Sequence, residues 1–194
     1  MRATLVVVLI AGVFFLGVSV VPRQQVALHG SQAVHLPVRV AAHRIATYAE
    51  ERLPACFRTL EGGGADLTRA LVAVEYVSVS RIEHALEYMV AHFAQLTGAP
   101  LPDLSYGAAQ VRPSTLARLR PMASRQARDY VNDCASIAMA QSVIASLLEK
   151  HRRVVPSNAR LMRVIRDYTG QLRQRPQHVV HNAIVAQLYA DYRS

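Results

Sequence analysis

The chain has no tryptophan, few aromatic residues of any kind (6%) and a single lysine, Lys150, so arginine carries nearly all of its positive charge. Cysteine occurs twice, at Cys56 and Cys134, with no C-x-x-C. That excludes a disulfide-dense miniprotein and a cysteine-built zinc module. The eight histidines include no H-E-x-x-H. His178 and His181 are close in sequence but lack a nearby third ligand, so no metal site is expected. Acidic residues are scarce, 13 against 22 Lys and Arg, for a net charge of +9. The arginines are scattered, and no zinc-finger, RRM or helix-turn-helix signature accompanies them. Nucleic acid is therefore not an expected partner, whereas an anionic cell-wall polymer or a membrane face suits such a surface. Only one long hydrophobic run is present, which excludes a polytopic membrane protein.

What is present is an apolar chain of 194 residues, 52% hydrophobic and 18% charged. Such a composition buries a core and excludes wholesale disorder; the length suits one domain with a short appendage. The hydrophobic run follows Arg2 and stays apolar from Ala3 to Val21. It has the length of a short transmembrane helix and the layout of an export signal. Residues 1–22 read as a signal anchor or signal peptide, 23–36 as a spacer and 37–194 as the folded body. The body is then expected outside the cytoplasm, in the cell envelope, membrane-anchored facing the periplasm or secreted. In that compartment Cys56 and Cys134 can bridge, but their apolar, helix-like contexts suit two buried thiols equally well.

The body reads as all-α. Pro37 opens a helix carrying Val40, Ile45 and Tyr48 on one side, and Pro54 ends it. After the break at Glu61–Gly64, Asp66 is placed to cap a helix with Leu67, Leu71 and Val74 on one face and Glu75 at its end. Tyr76–Ser80 reads as a turn or a distorted continuation. Ile82, Leu86, Met89, Val90, Phe93 and Leu96 follow at helical spacing, with Gly98 as C-cap. Ala99–Gln110 is a loop. Pro113 opens a short helix, and Arg128–His151 reads as one long helix. Leu161, Val164, Ile165 and Tyr168 mark another helix, and Pro176 opens the last.

Two features carry chemistry. Glu75 ends an apolar helix, where desolvation raises a carboxyl pKa towards what a general acid needs. Ser105-Tyr106-Gly107-Ala108-Ala109-Gln110-Val111-Arg112-Pro113-Ser114-Thr115 then supplies a loop of the form S-x-G-x-x-Q-V-x-P-x-T. Glycine admits a close approach of a ligand to the backbone, and Ser and Gln offer hydrogen bonds to a bound polar group or a carboxyl.

That loop resembles the signature of the lysozyme-like lytic transglycosylases, the superfamily of the soluble lytic transglycosylases and goose-type lysozymes. Arg128–Leu148 resembles their long central helix. Asp167-Tyr168-Thr169-Gly170 resembles their Tyr-Asn-x-Gly region, whose Tyr hydroxyl orients the catalytic Glu. The resemblance covers about residues 65–192. It implies a lysozyme-like fold, glycan strands of peptidoglycan as substrate, no cofactor, Glu75 as acid/base, and Ser105, Gly107, Gln110 and Tyr168 around the substrate. The departures are Tyr76 where the family has Ser, and no Asn after Tyr168. The interval from Glu75 to the loop is also longer than the family's, and Glu87 stands nearer the usual spacing as the alternative acid. Asp103 is the loop's one candidate for a second carboxylate and reads as a turn residue. A single acid implies a lytic transglycosylase giving 1,6-anhydro products. The departures leave room for a non-catalytic envelope protein that binds glycan or a protein partner.

Overall fold

The computed structural model describes residues 38–119, 126–155, 157–170 and 176–194. The N-terminal run and the spacer lie outside the described residues. Among the described residues no helix is long and apolar enough to cross a membrane.

The described chain is all-α. Its helices are α1 (Val38–Arg52), α2 (Pro54–Arg58), α3 (Ala65–Ser78), α4 (Arg81–Thr97), α5 (Pro113–Leu119), α6 (Ala127–Val131), α7 (Asp133–Lys150), α8 (Ser157–Thr169) and α9 (Pro176–Arg193). The centre is the pair α3 and α7, which pack on one another. α1 and α9 lie against α3, while α2, α5, α6 and α8 lie against α7. The core follows from their composition. α3 buries Leu67, Ala70, Leu71, Val72, Ala73 and Val74 in succession, and α7 buries Ile137, Met139, Ala140, Val143, Ile144 and Leu147. Each fully buried large aliphatic contributes about 1.5–3 kcal/mol relative to exposure.

Several boundaries differ from the sequence expectation, each for a local reason. Arg128–His151 is two helices: Asn132 sits in extended backbone and its side chain accepts from the Ala135 N–H at 2.9 Å, capping α7. Tyr76–Ser78 belongs to α3. Val79 is then extended, and Ser80 and Glu83 form a reciprocal capping box that starts α4. The N-cap of α3 is Gly64, not Asp66. Asp66 instead pairs with Arg69 at 3.1 Å, and Arg69 also donates to the Phe57 and Leu60 carbonyls, tying the end of α2 to α3.

The inward faces differ too. α1 buries Ala41, Ala42, Ile45 and Ala49, whereas Val40 and Tyr48 are exposed. Small residues let α1 lie close to α3 and α9. On α4 the buried residues are Ala91 and Ala94, and Ile82, Met89, Phe93 and Leu96 face outward. Gly98 does end α4, at φ +68° in the left-handed region. Cys56 on α2 and Cys134 on α7 are joined by a disulfide, with Cα atoms 4.7 Å apart.

Candidate active site

The loop after α4 folds back on itself. Tyr106 and Val111 exchange both backbone hydrogen bonds, at 3.2 and 3.1 Å, and Gly107–Gln110 makes the turn between them. Gly107 and Gln110 both have positive φ, +69° and +51°. Tyr106 is fully buried, and its hydroxyl donates to the Pro102 carbonyl at 3.0 Å. Burial, with the charges of Glu87 and Asp103, pushes that phenol up to about 12.

Gly107 is required for a reason other than sugar access. It is buried and does not line the cavity described below. A Cβ there would overlap the Tyr130 carbonyl oxygen and lie 3.0 Å from Ser136 Cβ and Oγ. Left-handed backbone costs a non-glycine residue about 1–2 kcal/mol, and the overlap adds to it. Gly107→Ala is therefore expected to lower stability by about 2–3 kcal/mol. Chemical denaturation measures this, and an unchanged midpoint would refute the packing argument.

A cavity of about 160 Å³ opens beside this turn. Glu75 reaches it from the last turn of α3, Ser105 and Gln110 from the turn, and Tyr168 from α8. Four of the five residues singled out in the sequence thus share one cavity, from segments far apart in the chain. Arg112, Ser114, Thr115 and Arg118 on the α5 side, and Asp167 and Thr169 on α8, complete its polar wall. A second cavity of about 220 Å³, lined by Glu83, Glu87, Val90 and Leu104 among others, shares Ser105 and Gln110 with the first.

The two candidate acids are held differently. Glu87 accepts from the Gly107 N–H at 2.9 Å through one oxygen and from Gln110 Nε2 at 2.9 Å through the other. His84 Nδ1 lies 3.4 Å from it. Gln110 Nε2 also donates to the Gly107 carbonyl at 3.0 Å, so its amide braces the turn. Glu87 is the anchor of that turn. Glu75 lies against His181 of α9, with Oε1 3.3 Å from Nε2, and both side chains are only 18% exposed. Burial disfavours the imidazolium, but the hydrogen bond and charge of Glu75 override it and raise the His181 pKa. The Tyr168 hydroxyl donates to the Ala109 carbonyl at 2.6 Å. That hydroxyl thus donates to the turn rather than to the Glu75 carboxyl, yet burial and the Glu75 charge hold this phenol well above its ordinary value.

The other carboxylates are tied down. Asp103 accepts from the Ser114 N–H at 2.9 Å, and that bond holds its pKa low. It anchors the start of α5 and is not part of the cavity wall. Asp167 is bound by Lys150 at 2.6 Å and His151 at 3.0 Å, which outweigh its burial and lower its pKa. Among the described residues no three His, Cys, Asp or Glu side chains are grouped to hold a metal ion.

Sequence reasoning missed His181 as the partner of Glu75. Its spacing from His178 drew attention only as a metal motif. Asp167 was legible as part of the Asp-Tyr-Thr-Gly stretch, but not as a wall residue. No protein-family model, curated protein or solved structure matches the chain.

Proposed function

We propose that this chain is an exported, lysozyme-like enzyme that cleaves the glycan strands of peptidoglycan with a single acid/base, Glu75, by a lytic transglycosylase mechanism. The observation that carries the reading is the convergence of Glu75, Ser105, Gln110 and Tyr168 on one cavity. The second cavity, sharing Ser105 and Gln110, supports an extended polymer as ligand rather than a small molecule. The disulfide and the apolar N-terminal run support an oxidising compartment in the cell envelope, with a membrane tether or a cleaved signal.

In this reaction Glu75 protonates the glycosidic oxygen, the C1–O bond breaks, and its electron pair stays with the leaving sugar. The substrate's N-acetyl group stabilises the oxocarbenium-like state. Glu75, now a carboxylate, takes the proton of the same sugar's 6-hydroxyl as O6 bonds to C1. No water enters, and the Glu75 proton is restored. Glu75 suits both halves because it is shielded from bulk solvent while still facing the cavity. Asp103, bound to the start of α5, leaves no loop carboxylate for a hydrolytic pair.

Mass spectrometry of a digest of purified sacculi tests the reading. Muropeptides one water lighter than hydrolysis products are expected. Products with a reducing end would make the protein a lysozyme-type hydrolase and turn attention to Asp167 as the second carboxylate. Binding of sacculi without any release would favour the non-catalytic envelope protein.

A further inference from the structure

We propose that His181 is the positioning residue of the Glu75 acid, the two side chains holding one exchangeable proton between them that Glu75 delivers to the glycosidic oxygen when a sugar fills the cavity. The inference rests on the reading of the cavity as a glycan-cleaving site and adds to it the source of the proton.

The geometry assigns the tautomer. His181 Nδ1 is 3.2 Å from Asn182 Oδ1, and Asn182 is buried, at 3% exposure. An amide oxygen only accepts, so Nδ1 carries its hydrogen and Nε2 is left facing Glu75 Oε1. With Glu75 ionised, Nε2–H donates to the carboxylate. With Glu75 protonated, Nε2 accepts from the carboxyl. One hydrogen bond therefore accommodates the proton on either partner, with no other change of partners.

Water and charge around the pair decide where the proton rests. In the open cavity the hydrogen bond and charge of Glu75 favour the imidazolium against its burial, raising the His181 pKa above its ordinary value. A bound sugar displaces water from the cavity, and a neutral pair is then favoured over a charged one. The proton passes from Nε2 to Glu75, leaving a neutral imidazole and a carboxyl group ready to donate. Release of the product and return of water restore the charged pair.

The α8 neighbours do not compete for this proton. From α3 the facing group is Glu75 itself. From α8 come Tyr168, whose hydroxyl is committed to Ala109, and Asp167, which is held by Lys150 and His151. Arg112 and Arg118 line the cavity from the α5 side, and His178 lies one turn earlier on α9. α1 turns Ala41, Ala42, Ile45 and Ala49 inward. Its Glu50 faces Tyr192, about 16 Å further along α9 at 1.5 Å per residue.

Two measurements test the proposal on the full chain. In the first, the His181 ring is titrated by NMR in wild type and in Glu75→Gln, which keeps the shape and removes the charge. The His181 midpoint is expected above the ordinary value of about 6.5 in wild type and to fall by about one unit or more in the variant. In the second, the rate of glycan cleavage is followed against pH for wild type and His181→Gln. The proton is available to wild type up to the raised His181 pKa, and the activity falls above it. Without His181, Glu75 must hold its own proton, so the alkaline limb of kcat is expected to move to lower pH by about one unit or more, with KM little changed. A merely structural role would lower the rate equally at every pH. A His181 midpoint indifferent to Glu75→Gln overturns the pair, and a uniform loss in His181→Gln overturns the proton supply. Wild-type protein that cleaves no glycan at any pH overturns the function and the donor role with it, while the titration still decides whether the pair shares a proton.

Discussion

Glu75→Gln is expected to lower digestion of purified peptidoglycan by at least about 10²–10⁴-fold, the usual contribution of general acid–base catalysis, with the fold retained. The glutamine fills the same space at the end of α3 and can still meet His181 Nε2, now as an amide donor, but it has no proton to give to a glycosidic oxygen. Glu87→Gln behaves differently. Its carboxylate accepts two hydrogen bonds, from the Gly107 N–H and the Gln110 amide. A glutamine can keep the first but sets its own NH₂ against that of Gln110. The turn loosens, so stability falls and KM rises. Tyr168→Phe leaves the Ala109 carbonyl without its hydroxyl donor. An unmade buried hydrogen bond of this kind costs about 1–3 kcal/mol, and its effect reaches the cavity through the turn. Rates on sacculi, measured beside unfolding midpoints, separate these cases. A folded but inactive Glu87→Gln beside an active Glu75→Gln would move the acid to Glu87 and leave the site's location unchanged.

The helical architecture was legible because its punctuation is local. Pro113 and Pro176 fix φ at helix starts, and Gly98 supplies the left-handed residue at the end of α4. Ser80-Arg81-Ile82-Glu83 is a capping-box pattern and would have located the start of α4. Asn132 was harder to read, because an asparagine amid helical spacing becomes a cap only when the chain turns there. The buried faces of α1 and α4 are hard to read for a related reason. Periodicity identifies the large apolar residues, but these helices approach their neighbours through alanines, leaving Tyr48, Ile82, Met89 and Leu96 outside. The convergence of Glu75 with Ser105, Gln110 and Tyr168 followed from matching motif residues in order along the chain. The parts of the site that no motif encodes are the long-range ones. Gly107 against Tyr130, Glu87 beneath the turn and His181 beside Glu75 are contacts between distant segments. Only packing of α9 on α3 brings His181 to the carboxylate.

Removal of the Cys56–Cys134 bridge is expected to cost about 4.5 kcal/mol, the chain-entropy value for cross-linking residues 78 apart in sequence. The bridge joins the short helix α2 to the first turn of α7; α2 has five residues, of which Cys56 and Phe57 are buried. Arg69 draws the Phe57 and Leu60 carbonyls towards α3, so the same segment is held from two sides. Opening the disulfide enlarges the unfolded ensemble and frees α2 from α7, but it does not touch Glu75 or His181 directly. Against a typical domain stability of about 5–15 kcal/mol the loss is large, equivalent to about 9–18 °C in Tm for a body of this size. Cys56→Ser/Cys134→Ser and wild-type protein under reductant should show the same lowered urea midpoint, with cleavage of sacculi retained below the new transition. Two reactive thiols in native protein, or a midpoint indifferent to reductant, would contradict the bridge and with it the structural support for folding in an oxidising compartment. A double variant that folds fully but loses cleavage at low temperature would instead mean that the α2–α7 junction positions the cavity wall through Val143 and the turn.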